Sequence, residues 1–259
     1  MEVMNGAARI AVRVAGEVAG PTLVLLPGLG RPSSDLDSFA RLLLAARYRV
    51  VQPEPRGIGR STGPLEGLTL HDLAGDIAAV VQAVGGAPVT VIGHAFGNRI
   101  ARCLAADRPD LVRLVVLLSS SGKVQPSPEI AEAIALAQGV DTPPDIRAEA
   151  VRMAWYGPRR DISAWLDGWS QPVMRAYLAA AAATPVADFW TAGQAPLLIV
   201  QGLADVSAPV GNGRLLKEEV GARATLVELP GIGHALPVED PDAVAAAVLA
   251  HLNRNRHAH

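Results

Sequence analysis

The sequence predicts an α/β protein: a mostly parallel central sheet flanked by helices, with one helical insertion. Short β-branched or leucine-rich runs bounded by Gly and Pro alternate with longer runs of helical period, the pattern of strands joined by crossover helices. Several of the short runs are apolar at every position, as central strands covered on both faces are. One stretch, 122–190, breaks the alternation and offers no strand.

Taken in order, strands are expected at 9–14, 22–26, 48–52, 89–92, 114–118, 197–201 and 225–229. Helices are expected at 39–46, 70–84, 98–107 and 242–253. Thr69 can cap the second of these, with Asp72 at its third position completing a capping box. The break at 122–190 holds Pro-rich turns, helical patches and all four tryptophans, Trp155, Trp165, Trp169 and Trp190. It reads as a helical cap, or lid, inserted into a core made of 1–121 and 191–259. Open α/β sheets bind ligands at the carboxyl ends of their strands, so a lid over that end would close a pocket. The tryptophans either line that pocket or form the lid's own core.

With 259 residues, half of them hydrophobic, and a net charge of −2, the chain can bury a substantial core. Its arginines are scattered singly or in pairs without a basic stripe, which argues against a nucleic-acid partner. The single cysteine, Cys103, excludes an intramolecular disulfide and fits a reducing cytoplasm, the expected location. The amino terminus lacks a secretory pattern, and the longest apolar runs fall far short of the roughly 20 residues that cross a bilayer. No membrane association is therefore expected, and oligomeric state leaves no mark in the sequence.

The chemistry-bearing segment is Val91-Ile92-Gly93-His94-Ala95-Phe96-Gly97-Asn98, which follows an apolar strand and opens a helix. A Gly-x-x-x-Gly turn in that setting can project its central side chain above the sheet, with glycines where the tight backbone leaves no room for Cβ atoms. Four other segments stand in a consistent order around it. Leu26-Pro27-Gly28-Leu29-Gly30 ends an early strand, and Arg56-Gly57-Ile58-Gly59-Arg60-Ser61 follows the next. Gln201-Gly202-Leu203-Ala204-Asp205 follows a buried strand, and Leu229-Pro230-Gly231-Ile232-Gly233-His234-Ala235 follows the last one.

Together these segments resemble the α/β-hydrolase superfamily, over nearly the whole chain apart from the lid. The resemblance implies a nucleophile elbow at Gly93–Gly97 with Ala95 in the nucleophile's place, an acid at Asp205 and a catalytic-type histidine at His234. It further implies an oxyanion hole from the backbone N–H groups of Leu29 and Phe96. Pro27 stands where the family often has His. Gly28, His94, Trp155, Trp169 and Tyr177 are the expected pocket residues, and the implied substrate is a small, partly apolar carbonyl compound or ester.

These residues also have plainer readings. His234 could be a loop histidine and Asp205 a turn-former. Arg56 and Arg60 read as loop braces, and Cys103 as a small apolar packing residue. Ser119, Ser120 and Ser121 could line the pocket without replacing the missing hydroxyl. His71, His94 and His251 lack metal-ligand spacing, and His257 and His259 lie in a polar tail expected to fray. Gly28-x-Gly30 has neither dinucleotide nor P-loop spacing after it, so no metal and no cofactor is expected.

The methyl group of Ala95 cannot attack a carbonyl, so acyl-enzyme chemistry through this position is excluded. Three readings stay open. The alanine is an engineered replacement of a serine hydrolase's nucleophile; or the site is naturally without serine and Asp205–His234 works as a general-base dyad; or the chain binds a small ligand without turning it over. For the dyad, lyase or cofactor-independent oxygenase chemistry is the alternative to hydrolysis.

Overall fold

A computed structural model of the chain describes residues 1–158 and 161–256. Eight strands form one sheet: β1 (Glu2–Asn5), β2 (Ala8–Ala15), β3 (Thr22–Leu26), β4 (Arg49–Pro53), β5 (Val89–His94), β6 (Val112–Leu118), β7 (Leu197–Gly202) and β8 (Ala224–Leu229). Their spatial order is β1-β2-β4-β3-β5-β6-β7-β8. The β1–β2 and β2–β4 pairs are antiparallel and every later pair is parallel. The helices are α1 (Asp37–Ala45), α2 (Leu70–Val84), α3 (Phe96–Asp107), α4 (Pro128–Gln138), α5 (Pro144–Trp155), α6 (Gln171–Ala183), α7 (Val186–Phe189), α8 (Gly211–Val220), α9 (Leu236–Glu239) and α10 (Pro241–Arg256). His257 and His259 lie outside the described residues. No helix among those described is long and apolar enough to cross a membrane.

The unbroken apolar runs follow from burial on both faces. In β3, Val24 and Leu26 point to the layer containing α2 and α3, while Leu23 and Leu25 point to the layer containing α1 and α10. In β6, Val115 and Leu117 face the first layer, and Leu114, Val116 and Leu118 the second. All seven expected strands and all four expected helices form, with ends shifted by a few residues. Strand β1 and helix α8 were not expected. The first is only four residues long and the second begins Gly-Asn-Gly, so neither carries a periodic signal.

Thr69 caps α2 as its spacing predicts: its side chain accepts from the Asp72 N–H, and the Asp72 carboxylate accepts from the Thr69 N–H at 2.8 Å. Thr69→Ala is expected to cost about 1 kcal/mol, read as a lower urea midpoint. An unchanged midpoint would mean that the first turn is satisfied without this side chain.

Between β6 and β7 the described residues form α4 to α7 and no strand. Trp155 stacks on Trp169, with ring centroids 4.7 Å apart, and Trp165 packs edge-on against both. Trp190 does not join them. It packs in the main core, where its ring would meet any Cβ added at Gly122, and its Nε1 donates to Glu219.

Candidate functional site

The turn after β5 is tightly packed. Ala95 has φ 49° and ψ −110°, a left-handed conformation that an L-residue holds at a cost of order 1–3 kcal/mol. Its neighbours explain the glycines. A Cβ at Gly93 would sit 2.5 Å from the Asn98 backbone, and one at Gly97 would sit 2.5 Å from the Leu26 carbonyl oxygen. The Ala95 N–H donates to Leu118 O at 2.9 Å, which ties the turn to the end of β6. Phe96 is the first residue of α3, where backbone N–H groups have no acceptor within the helix.

Two more loops bring the acid and the histidine to the same end of the sheet. Asp205 follows β7, and its carboxylate is wholly inaccessible. Its Oδ1 accepts from the Ala208 N–H at 2.7 Å and its Oδ2 from Gln201 Nε2 at 3.1 Å. His234 follows β8, and its Nδ1 lies 3.1 Å from each Asp205 oxygen. A neutral imidazole held by Nδ1–H in this way presents Nε2 as a proton acceptor. The loop itself is anchored to α5. Ala235 donates to Trp155 O at 2.9 Å, and Glu239 accepts from both the Gly233 and Gly157 N–H groups.

One cavity of about 190 Å³ joins Gly28, Leu29, Ala95, Phe96, Trp155, Trp169 and His234, all named from the sequence, with Asp205 directly behind His234. Trp165, Arg31, Arg99 and Ser121 also line it. Arg31 pairs with Asp35 through two contacts of 2.7 and 3.1 Å, donates to the carbonyls of Ala164 and Asp167, and lies over the Trp165 and Trp169 rings. It therefore clamps the segment after α5 onto the loop after β3. Burial pushes Asp35 upward, against the opposing pull of Arg31.

Two expected pocket residues stand elsewhere. His94 is 1 % exposed and packs just behind the cavity wall, its ring centroid 5.7 Å from that of Trp165 and 5.5 Å from that of His234. Its Nε2 donates to His234 O at 2.8 Å, and Ser119 Oγ donates to the same oxygen at 2.9 Å. Burial pushes the His94 imidazole down to about 3, with His234 adding to the effect. Tyr177 packs behind Phe96, with centroids 5.5 Å apart, and donates to Arg56 O. There it lines a separate small cavity beside the buried Arg56–Asp76 ion pair.

Sequence reasoning missed Arg31, Arg99 and Gln201. Arg99 alone had a readable signal, being three residues after Phe96 and so on the same face of α3. Cys103 is buried in the core, as expected of a small apolar residue, and Arg56 braces its loop through Pro64 O.

Comparison with known proteins agrees with this fold. The mycobacterial protein provisionally named non-heme bromoperoxidase BpoC (Mycobacterium tuberculosis) is 30% identical over 220 residues, covering 80% of this chain and 83% of its own. A protein of Klebsiella pneumoniae provisionally named carbamate hydrolase RutD is 29% identical over 246 residues, covering 90% and 92%. Among solved structures, Rv0554 of Mycobacterium tuberculosis superposes with a TM-score of 0.83 at 25% identity, covering 98% of this chain and 99% of that one. Residues 21–241 match the family described as alpha/beta hydrolase fold, and the chain belongs to that family.

Proposed function

We propose that the chain is a hydrolase of a small, partly apolar ester or related carbonyl compound, working without a covalent intermediate. The observation that carries this reading is the pairing of His234 with the buried Asp205 carboxylate in a cavity shared with Ala95. A purely binding pocket has no need of an oriented imidazole. The carbamate hydrolase name of the Klebsiella relative lends further support to acyl chemistry.

In the proposed step, a water molecule occupies the space above the Ala95 methyl group. His234 Nε2 takes its proton as the water oxygen bonds to the substrate carbon. The carbonyl π pair moves onto oxygen, where the Leu29 and Phe96 N–H groups receive the charge. Collapse expels the leaving group, which takes the proton back from His234. Asp205 holds the imidazole in the required tautomer and stabilises its cation. The helices between β6 and β7 act as the lid of this site, and their tryptophans exclude bulk water.

Hydrolysis of p-nitrophenyl acetate by the unaltered chain and by His234→Ala tests the reading. The unaltered chain is expected to be faster than His234→Ala by at least about tenfold, with Asp205→Asn also slowed but by less, as removal of the orienting acid alone costs less than removal of the base. Equal rates in all three would overturn it.

A further inference from the structure

Arg99 lines the cavity without a counterion. Its Nε is buried and makes no hydrogen bond; among the described residues the side chain lies beside the Phe96 ring, 5.7 Å from the guanidinium carbon to the centroid, and its charge repels that of Arg102. The other buried arginines nearby are satisfied. Arg31 is paired with Asp35, and Arg102, one turn further along α3, is held by Asn98 and by the carbonyls of Ser121 and Trp190. No Asp or Glu stands among the residues lining the cavity, and the Asp205 carboxylate is covered by His234. Arg99 is half-buried, and a charged donor whose Nε is buried and unmatched is costly, so its presence at a cavity wall calls for an anion that the chain itself does not supply. Burial pushes the Arg99 guanidinium down, as expected of a cation with no partner.

We propose that Arg99 recognises a carboxylate on the substrate, so that the site takes a small carbonyl compound bearing an anionic group near the reacting carbonyl. This rests on the cavity being the reaction site. Arg99 follows Phe96 by three residues, which places the two side chains about 5–6 Å apart on one helix face. A carboxylate gripped there would leave the adjoining carbonyl within reach of the Phe96 N–H. The planar fork of the guanidinium matches both carboxylate oxygens.

Binding to the unaltered chain tests this without turnover, read by fluorescence of Trp155, Trp165 and Trp169 in the cavity wall. The probes are 4-oxopentanoate and its neutral isostere 4-oxopentanamide, whose ketone carbonyl carries no ester bond to hydrolyse. The monoanion is expected to bind roughly tenfold to a hundredfold more tightly. Arg99→Gln should bring that ratio close to one, and Arg99→Lys, which keeps the charge but loses the fork, should leave an intermediate ratio. A ratio near one in the unaltered chain would overturn the proposal, as would an undiminished ratio in a folded Arg99→Gln or Arg99→Lys protein. Because this is a binding measurement, failed ester turnover would count against the general-base reading and leave this one standing.

Discussion

Ala95→Ser is expected to raise hydrolysis of activated short-chain esters at least about a hundredfold, with a ceiling near 10⁶, the loss measured when a serine nucleophile is removed from a complete triad. The expectation follows from how little else would have to change. The backbone at position 95 already holds φ 49°, so a serine would place its Oγ on the Cβ that now faces the cavity. His234 is already oriented by Asp205 at 3.1 Å. A reactivated serine would need both, so Ala95→Ser combined with His234→Ala should fall back to the level of His234→Ala alone. An Ala95→Ser protein no faster than the unaltered chain would show that the imidazole does not reach over position 95.

The second large effect concerns stability. His94 is held neutral by burial behind the cavity wall, with its folded value near 3 against an ordinary 6.5. Between those two values the unfolded chain binds a proton that the folded chain refuses, so stability is complete above about pH 6.5 and falls as pH drops toward 3. The loss attributable to this one group is about 2 kcal/mol by pH 5, and up to about 5 kcal/mol across the whole window. The charged or titratable groups bearing on it are His234, Asp205 and Arg31; Asp205 and the hydrogen bond to the His234 carbonyl favour the cation, while the His234 and Arg31 charges oppose it. Urea midpoints at pH 7.5 and pH 5 should therefore differ less in His94→Gln, whose amide can still donate to His234 O, than in the unaltered chain. Parallel pH profiles would show that His94 is not held neutral by the fold.

What was legible in the sequence was what a single residue type enforces. Gly93 and Gly97 mark a turn where backbone crowds to 2.5 Å, and no other residue could stand there. Thr69 and Asp72 mark a helix start through two reciprocal hydrogen bonds. Asp205 and His234 could be placed because each directly follows a recognisable strand, β7 and β8. Side-chain direction was less legible. His94 sits beside Ala95 in sequence, yet it is buried behind the cavity wall, hydrogen-bonded to the His234 carbonyl. Tyr177 was assigned by its aromatic character, but the phase of α6 sets it behind Phe96. Arg31 and Arg99 were overlooked because their meaning lies in partners, two carboxylate contacts for one and none for the other. The Arg31 carboxylate partner, Asp35, is only four residues away, but the contacts of Arg31 with the Ala164 and Asp167 carbonyls depend on how the inserted segment settles over the sheet, which no local pattern encodes.

The most direct measurement is intact mass after incubation with a fluorophosphonate, made on the unaltered chain, on Ala95→Ser and on Ala95→Ser combined with His234→Ala. A site complete except for one hydroxyl predicts one adduct on Ala95→Ser, formed rapidly, and none on the other two. An Ala95→Ser protein that stays unlabelled, or is labelled equally fast without His234, would contradict it.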